Sequence, residues 1–401
     1  LNNYDYDILI VGGGLVGASL ALGLNQLPLK VGLIDSGLIK KAPISNRTIA
    51  LSAISCQILQ ALSNCSLDEL KVHPIKTIHV SKQGRFAITR LKAEDIGLPA
   101  LGYSIEMATI VQFLYEALNK TCCEVIPAQV KDAKCELATV EVVLETASTV
   151  QEKISTKLLI AADGDNSFLR TLFNIPTKVH DYEQSALVAT VATTKSHQDT
   201  AFERFIVDGS VALLPVAEKK VKLVWVASTD NIKTLANLDA CLFLNRLQDH
   251  IGFRLGKLHS LGESHIYPLK RVQVLDQVQD RLVLLGNSAH VLHPIAAQGF
   301  NLSLRDIAVF IATIQEAHAK EKNFAAKEIL QNYVVKRLSD QKRAENLTHY
   351  LASLFNEDLS PLAGLCSVAF NALESLPILK KRFIHFAMGS YVKLPSWVWG
   401  S

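Results

Sequence analysis

An excess of either charge is missing from this chain. Lys and Arg total 41 against 38 Asp and Glu, and a net charge of +3 does not by itself mark a nucleic-acid binder. Organised cysteine is missing as well. The seven cysteines (Cys56, Cys65, Cys122, Cys123, Cys135, Cys241 and Cys366) form no C-x-x-C pair and no zinc-type spacing. An odd number without a framework fits thiols in a reducing compartment, and the adjacent Cys122 and Cys123 would point apart on a strand. No uninterrupted apolar run reaches the roughly 18 residues of a membrane-spanning helix. The chain passes almost at once from Leu1 into an apolar strand, so no secretory leader is expected. Repeats and low-complexity tracts are absent, which excludes solenoids. What remains is 401 residues, 49% hydrophobic and 20% charged, the composition of a globular enzyme with a large core in one to three domains.

The run Tyr6 to Val11 (YDILIV) reads as a buried parallel strand. Gly12-Gly13-Gly14-Leu15-Val16-Gly17 follows directly, residues 18–27 read as an apolar helix, and residues 30–34 as a second strand ending in Asp35. This is a complete β-turn-α-β unit carrying G-x-G-x-x-G. Gly12 permits the tight turn, Gly14 lets a pyrophosphate approach the backbone, and Gly17 allows close helix packing. Asp35, about 20 residues on, is placed to accept hydrogen bonds from ribose hydroxyls. A tight turn with a capping Asp would not need strand, helix and acid in register. The motif predicts a dinucleotide without separating FAD from NAD.

Two further motifs follow apolar strands. Asp163-Gly164-x-x-Ser167-x-x-Arg170 succeeds the run 157–162 and could by itself be an N-capped turn. Gly286-Asn287-Ser288-Ala289-His290 succeeds 282–285 and leads through His293-Pro294 to Ala297-Gln298-Gly299-Phe300-Asn301 and Arg305-Asp306. Small and polar residues at a helix start leave backbone N–H groups unpaired, suited to the negative charge on the N1–C2=O edge of a reduced flavin. His290 and His293 lie three apart, but no further ligand completes a set, so no metal is expected. His290 is expected to hydrogen-bond within the loop, and His293 to face substrate or flavin together with Pro294.

These three motifs resemble those of the flavoprotein aromatic hydroxylases typified by p-hydroxybenzoate hydroxylase, in the same order across about the first 310 residues. Within that class the chain is most similar to the ubiquinone-biosynthesis hydroxylases, closest to the 2-polyprenyl-6-methoxyphenol hydroxylases. The residues that carry this closer likeness are Asn46-Arg47-Thr48-Ile49-Ala50-Leu51, Leu101-Gly102-Tyr103 with Glu106 and Gln112, and the Gly-Asn-Ser-Ala-His stretch. The resemblance implies FAD as cofactor, NAD(P)H as reductant, and a prenylated phenol and O2 as substrates, with oxygen delivered from a C4a-hydroperoxide of the flavin. It implies that Arg47 and Gln112 contact the phosphate and ribityl region, and that Asp163 serves the motif shared with pyridine-nucleotide binding. Asn287 stands where most of the class has Asp against a ribityl hydroxyl. Pro294 would line the isoalloxazine, and Ala297, Gln298 and Gly299 would offer amides to its pyrimidine edge. Ala297 replaces the usual glycine. Leu15, Val16, Gly286 and Asn301 complete the implied cofactor contacts. The rival readings are another FAD-dependent hydroxylase, a geranylgeranyl-reductase-like flavoenzyme, or a non-catalytic flavin-binding scaffold of quinone biosynthesis.

The expected fold is α/β, a Rossmann-like FAD-binding domain (residues 1–72, 105–179 and 271–326) interleaved with a β-sheet substrate domain (73–104 and 180–270), then a helical C-terminal region (327–401). Residues 105–118 and 298–315 read as helices, and 139–145, 211–214 and 222–227 as strands. Phe202, Phe205, Leu213, Leu214 and Trp225 are candidates for the substrate wall, although apolar strand residues are more often core. In the tail, Leu362, Leu365, Val368, Ala369, Phe370 and Leu373 have helical spacing. Lys380, Lys381 and Arg382 then precede Phe383, Phe386, Tyr391, Trp397 and Trp399. Basic residues among aromatics suit an anionic membrane surface, a partner from quinone biosynthesis, or packing on the protein itself. The chain is expected in the cytoplasm, peripheral on the inner membrane, with no nucleic-acid partner.

Overall fold

A computed structural model of the protein describes residues 4–40, 47–66, 70–84, 88–146, 151–354 and 372–399. Asn46, Cys366 and the tail residues Leu362, Leu365, Val368, Ala369 and Phe370 lie outside the described residues.

The first sheet is built on five parallel strands in the order Leu282–Leu284, Gln151–Ala161, Tyr6–Val11, Val31–Ile34, Glu124–Ile126. Its central strand is covered on both faces, and Ile8, Leu9 and Ile10 are wholly buried. That is why the strand reads as a continuous apolar run instead of an alternating one. An antiparallel pair, Ala128–Cys135 and Val140–Thr146, extends the strand Gln151–Ala161. Helix Leu15–Leu24 begins at the glycine turn itself, three residues earlier than its apolar run suggests, because glycine and the β-branched Val16 obscure the start. The segment 105–118 divides at Glu106 into a strand, Gly102–Glu106, and a helix, Met107–Leu118.

The second sheet has nine strands and draws on residues 77–92, 177–274 and 290–291. One face, with Leu187, Leu213, Leu223 and Trp225, packs beneath helices Thr229–Ala236 and Ala240–Ile251. The other face carries Val80, Phe205, Val224, Val226 and Leu269 and meets Tyr182, Ile295 and helix Lys327–Leu354. A small sheet of Thr48–Ser52, His73–Ile75 and Gly102–Glu106 lies at the junction.

Ile295–Ala319 is long and apolar enough to cross a membrane by length and composition, but 72% of its apolar 18-residue window is buried and it holds the buried Arg305 and Asp306. It is the core helix against which Lys327–Leu354 packs. In the tail, Ile384 and Met388 of helix Pro377–Met388 are buried against Leu91 and Leu101. Glu374 just before it accepts from the Thr89 hydroxyl and the Arg90 amide, at 3.1 and 2.9 Å. This part of the tail packs on the protein, while Leu376, Ile378 and Leu379 remain outside.

Candidate active site

Strand register assembles the site. Val11 lies beside Ala161 on one side and Ile34 on the other, and Ala161 beside Leu284. The residues that follow these four strand ends are Gly12, Asp35, Asp163 and Gly286. Four stretches far apart in sequence therefore meet at the carboxyl edge of one parallel sheet, where open α/β sheets bind ligands. Cross-links tie them together. Arg170 donates to the Ser288 and Asp165 carbonyls at 3.0 and 2.6 Å, and Ser288 Oγ donates to the Ala161 carbonyl at 2.6 Å. Gly286 has φ +66, and a Cβ there would come within 2.7 Å of Val16, so glycine lets the third motif lie against the first.

The glycines of the turn differ in what requires them. A Cβ on Gly12 would meet the Ala162 oxygen at 2.4 Å, and one on Gly17 the Gly12 oxygen at 1.9 Å. Internal packing explains both. Gly14 has an ordinary φ of −70, and a Cβ there meets nothing within 4 Å. Neither conformation nor packing within the chain demands glycine at this position, whereas a phosphate seated on the amides of the helix start does.

Two buried polar atoms point the same way. Asp163 accepts the Leu169 amide through Oδ2 at 3.1 Å, while its buried Oδ1 has no partner among the described residues. His293 Nδ1 accepts the Ile295 amide at 3.3 Å, which places the proton of the neutral ring on Nε2, and this buried atom also lacks a partner among the described residues. Burial, reinforced by His349, brings the His293 pKa down to about 4, so the ring stays neutral in use. Asn287 is exposed on the turn Gly286–Ser288. The donors, acceptors and open space at this edge fit FAD.

The loop before the core helix departs in part from expectation. Ala297 does not offer its amide, which donates to the Pro294 carbonyl at 3.0 Å. Gln298 and Gly299 begin the helix, so their amides are the ones without a helical acceptor. The side chains of Gln298 and Asn301 are buried struts. Gln298 donates to the Ala387 carbonyl at 2.9 Å, and Asn301 donates to the Ala50 and Ala297 carbonyls and accepts the Ser52 amide. Pro294 is exposed at the loop tip. Ala296 and Ala297 both hold positive φ, 59 and 49, which costs about 1 kcal/mol or more per alanine. Ala297→Gly should therefore raise stability by up to about 1 kcal/mol, read as a higher denaturation midpoint; a lower midpoint would show that the loop is not strained.

Asp35 is held from two sides, its Oδ1 accepting the Gly37 amide at 2.8 Å and its Oδ2 the Tyr115 hydroxyl. Tyr115 also reaches the Gly13 carbonyl at 3.0 Å, and burial together with Asp35 pushes its phenol up. The residue of helix Met107–Leu118 that meets the glycine turn is thus Tyr115. Gln112 is exposed on the same helix and donates to Glu116 at 2.8 Å. Tyr115 sits beside the buried stripe of Ile110, Phe113, Leu114 and Ala117, and nothing in its local pattern singled it out. Arg47 is exposed at the junction, over the Tyr267 ring at 5.2 Å and 3.7 Å from Met107 Sδ. Among the wall candidates, Leu213 and Trp225 belong to the helix-covered core and Phe202 packs against it, whereas Phe205 packs on Ile295 beside the loop.

Behind the loop lies a buried ionic network. His290 Nε2 lies 2.8 Å from Asp306, Arg337 Nε donates to Asp306 at 2.6 Å, and Asp340 takes Arg337, Arg305 at 2.9 Å and the Tyr391 hydroxyl at 2.9 Å. His290 therefore ties the loop to the core helix through Asp306 instead of bonding within the loop.

Solved structures with this arrangement define the class. The p-nitrophenol 4-monooxygenase PnpA from Pseudomonas putida DLL-E4 matches with a TM-score of 0.77 over 95% of this chain and 98% of that one, at 15% identity. The flavin-dependent brominase Bmp2 matches at 0.78 over 98% and 95%, also at 15% identity. The fold is that of the flavin-dependent aromatic hydroxylases. The chain belongs to the FAD binding domain family, whose profile matches residues 5–348. It is similar to the 3-demethoxyubiquinol 3-hydroxylase of Escherichia coli K12, 29% identical over 97% of this chain and 100% of that one. It is also similar to the ubiquinone hydroxylase UbiL of Rhodospirillum rubrum, 30% identical over 96% and 90%, and to the mitochondrial ubiquinone biosynthesis monooxygenase COQ6 of Homo sapiens, 26% identical over 95% and 92%. It is an FAD-dependent monooxygenase of that group.

Proposed function

We propose that this protein hydroxylates the aromatic ring of a polyprenylated phenol in ubiquinone biosynthesis, with 2-polyprenyl-6-methoxyphenol as substrate and NAD(P)H as reductant. The observation that carries the reading is the junction itself. The edge that gathers Gly12, Asp35, Asp163 and Gly286 leads through Pro294 to the apolar face of the second sheet, in a chain similar over nearly its whole length to ubiquinone hydroxylases. Bound FAD supplies the oxygen activation, using two electrons from the reductant to send one oxygen atom to the ring and the other to water. The chain supplies the rest. The amides of Gln298 and Gly299 face developing negative charge, the neutral His293 offers an Nε2–H, and Val80, Val224, Val226 and Phe205 make a dry wall for an uncharged ring.

Cells lacking the protein, grown in air, should accumulate a prenylated phenol short of one oxygen, detected by mass spectrometry. An unchanged quinone profile would remove this substrate class. The E. coli relative's name favours a second reading, hydroxylation of a demethoxyubiquinol, and the ring pattern of the accumulated compound decides between the two.

The tail offers a surface for the membrane in which such a substrate dissolves. Leu376, Ile378 and Leu379 are 50%, 71% and 43% exposed, beside the exposed Lys381 and Arg382. Their apolar and basic chemistry suits anionic lipid on the cytoplasmic side of the inner membrane. Ile378→Glu with Leu379→Glu should lower sedimentation with anionic liposomes about tenfold or more and leave the flavin spectrum intact; undiminished sedimentation would refute the contact.

A further inference from the structure

Glu203 is a carboxylic acid in a wall made largely of Val80, Phe205, Val224 and Val226. It lies in strand Thr200–Ile206, paired with Val80 on one side and Ala212 on the other. Paired residues share a face, and Val80 and Phe205 pack with Ile295 and Tyr182. Glu203 is therefore on the face that meets the loop carrying His293 and Pro294, not on the face beneath the helices. Its Oε1 is buried without a partner among the described residues, although the residue as a whole keeps part of its surface accessible. Ser210, buried at the next pair along on the same face, stands close enough for its hydroxyl to favour the ionised carboxylate. An unpaired carboxylate oxygen in such surroundings carries a desolvation cost that packing does not repay, and valine would suit this wall better.

We propose that Glu203 is the acid–base residue of the substrate site, accepting the proton of the phenolic hydroxyl as the ring is oxygenated. This rests on the hydroxylase reading above. The phenolic O–H breaks, its proton passes to Oε1, and the electron pair left on oxygen enriches the ring carbon that forms the new C–O bond. That carbon then sheds its hydrogen as a proton to solvent. The carboxylic acid returns its own proton to the phenolic oxygen as aromaticity is restored, so Glu203 ends the cycle ionised. O2 is the oxidant; its O–O bond breaks as the C–O bond forms, the other oxygen atom leaves as water, and the two electrons come from the reductant through FAD.

Burial pushes the Glu203 carboxyl up to about 7, against the downward pull of the Ser210 hydroxyl. A base is most effective with its pKa near the working pH. The other ionisable groups around this face are Lys82 on the neighbouring strand, Lys222 two residues before Val224, Tyr182, and His293 and His349, whose rings meet Tyr182. His293 and His349 are both lowered, by burial first, so neither contributes a limb near pH 7.

The test uses the full-length FAD-loaded enzyme and a short-chain prenylated methoxyphenol. Glu203→Gln keeps the shape and removes the base. Hydroxylation kcat should fall 100-fold or more with KM little changed, while reductant oxidation continues and releases peroxide. The limb near pH 7, present in wild type as activity rising with pH, should vanish. Ser210→Ala should move that limb to higher pH, which tests the assignment even if Glu203→Gln folds poorly. Activity of Glu203→Gln within threefold of wild type, or an unmoved limb in Ser210→Ala, overturns the role of Glu203 and leaves the hydroxylase reading intact. A flavin-loaded wild type that hydroxylates no phenol overturns that reading, and this proposal with it.

Discussion

Gly14→Val is expected to purify folded but without flavin. The backbone at Gly14 has φ −70, which valine adopts freely, and a Cβ there meets no protein atom within 4 Å. The apoprotein therefore has no reason to refuse the substitution. The branched side chain would instead fill the space over the amides that begin helix Leu15–Leu24, where a pyrophosphate must approach. Gly12→Val provides the contrast, because its Cβ would lie 2.4 Å from the Ala162 oxygen at φ +110, and fold and flavin should fail together. Flavin absorbance per chain and near-ultraviolet circular dichroism read the two effects separately. A Gly14→Val protein with a full complement of FAD would remove the assignment of this turn to the pyrophosphate.

Arg337→Ala should cause the largest loss of stability. Its guanidinium is wholly buried between Asp306 and Asp340, and Asp306 in turn holds His290 of the third motif. Removing one partner of a buried ionic cluster leaves the opposite charge desolvated, a loss of about 3–5 kcal/mol. The thermal midpoint should fall on the order of 5–10 °C. Arg337→Met with Asp306→Asn should recover part of this by removing the stranded charge. A loss below about 1 kcal/mol for Arg337→Ala would show that the network does not hold these helices together. Burial raises the Asp306 carboxyl, but Arg337 and His290 outweigh it and bring it down to about 2; Asp340 is likewise lowered by Arg305 and Arg337 against its burial. For carboxylates held low, the stabilisation is complete above the ordinary carboxylate range and is lost as pH falls from about 4 toward 2. Acid unfolding in that window should weaken in the double variant, where only the Arg305–Asp340 pair remains. High salt should leave the network's contribution nearly unchanged, since buried pairs are poorly screened.

The chemistry was legible where it depends on short-range order. Gly12 to Gly17, Asp35, Asp163 and Gly286 each follow an apolar strand, and strand, turn and helix are adjacent in the chain, so local spacing carries the information. Ser167 likewise caps its helix, accepting the Arg170 amide. Tyr115 shows where that reasoning stops. Which residue of helix Met107–Leu118 reaches the glycine turn is set by its packing on Leu15–Leu24, and it is Tyr115 that does so.

The sequence by itself determined the dinucleotide turn, the order of the flavin motifs and the family to which they belong, because each is written within a single β-turn-α stretch. Only the tertiary structure decided which strand face is wall and which is core, so that Trp225 went under the helices and Glu203 toward the loop. A strand's alternation separates two faces but does not say what covers each of them. It also decided that Arg337 and Asp340, charges on a long polar helix in the sequence, are buried partners of Arg305 and Asp306. Their partners lie more than 30 residues away, and burial of a charge is settled by the element that packs over it, not by its neighbours in the chain.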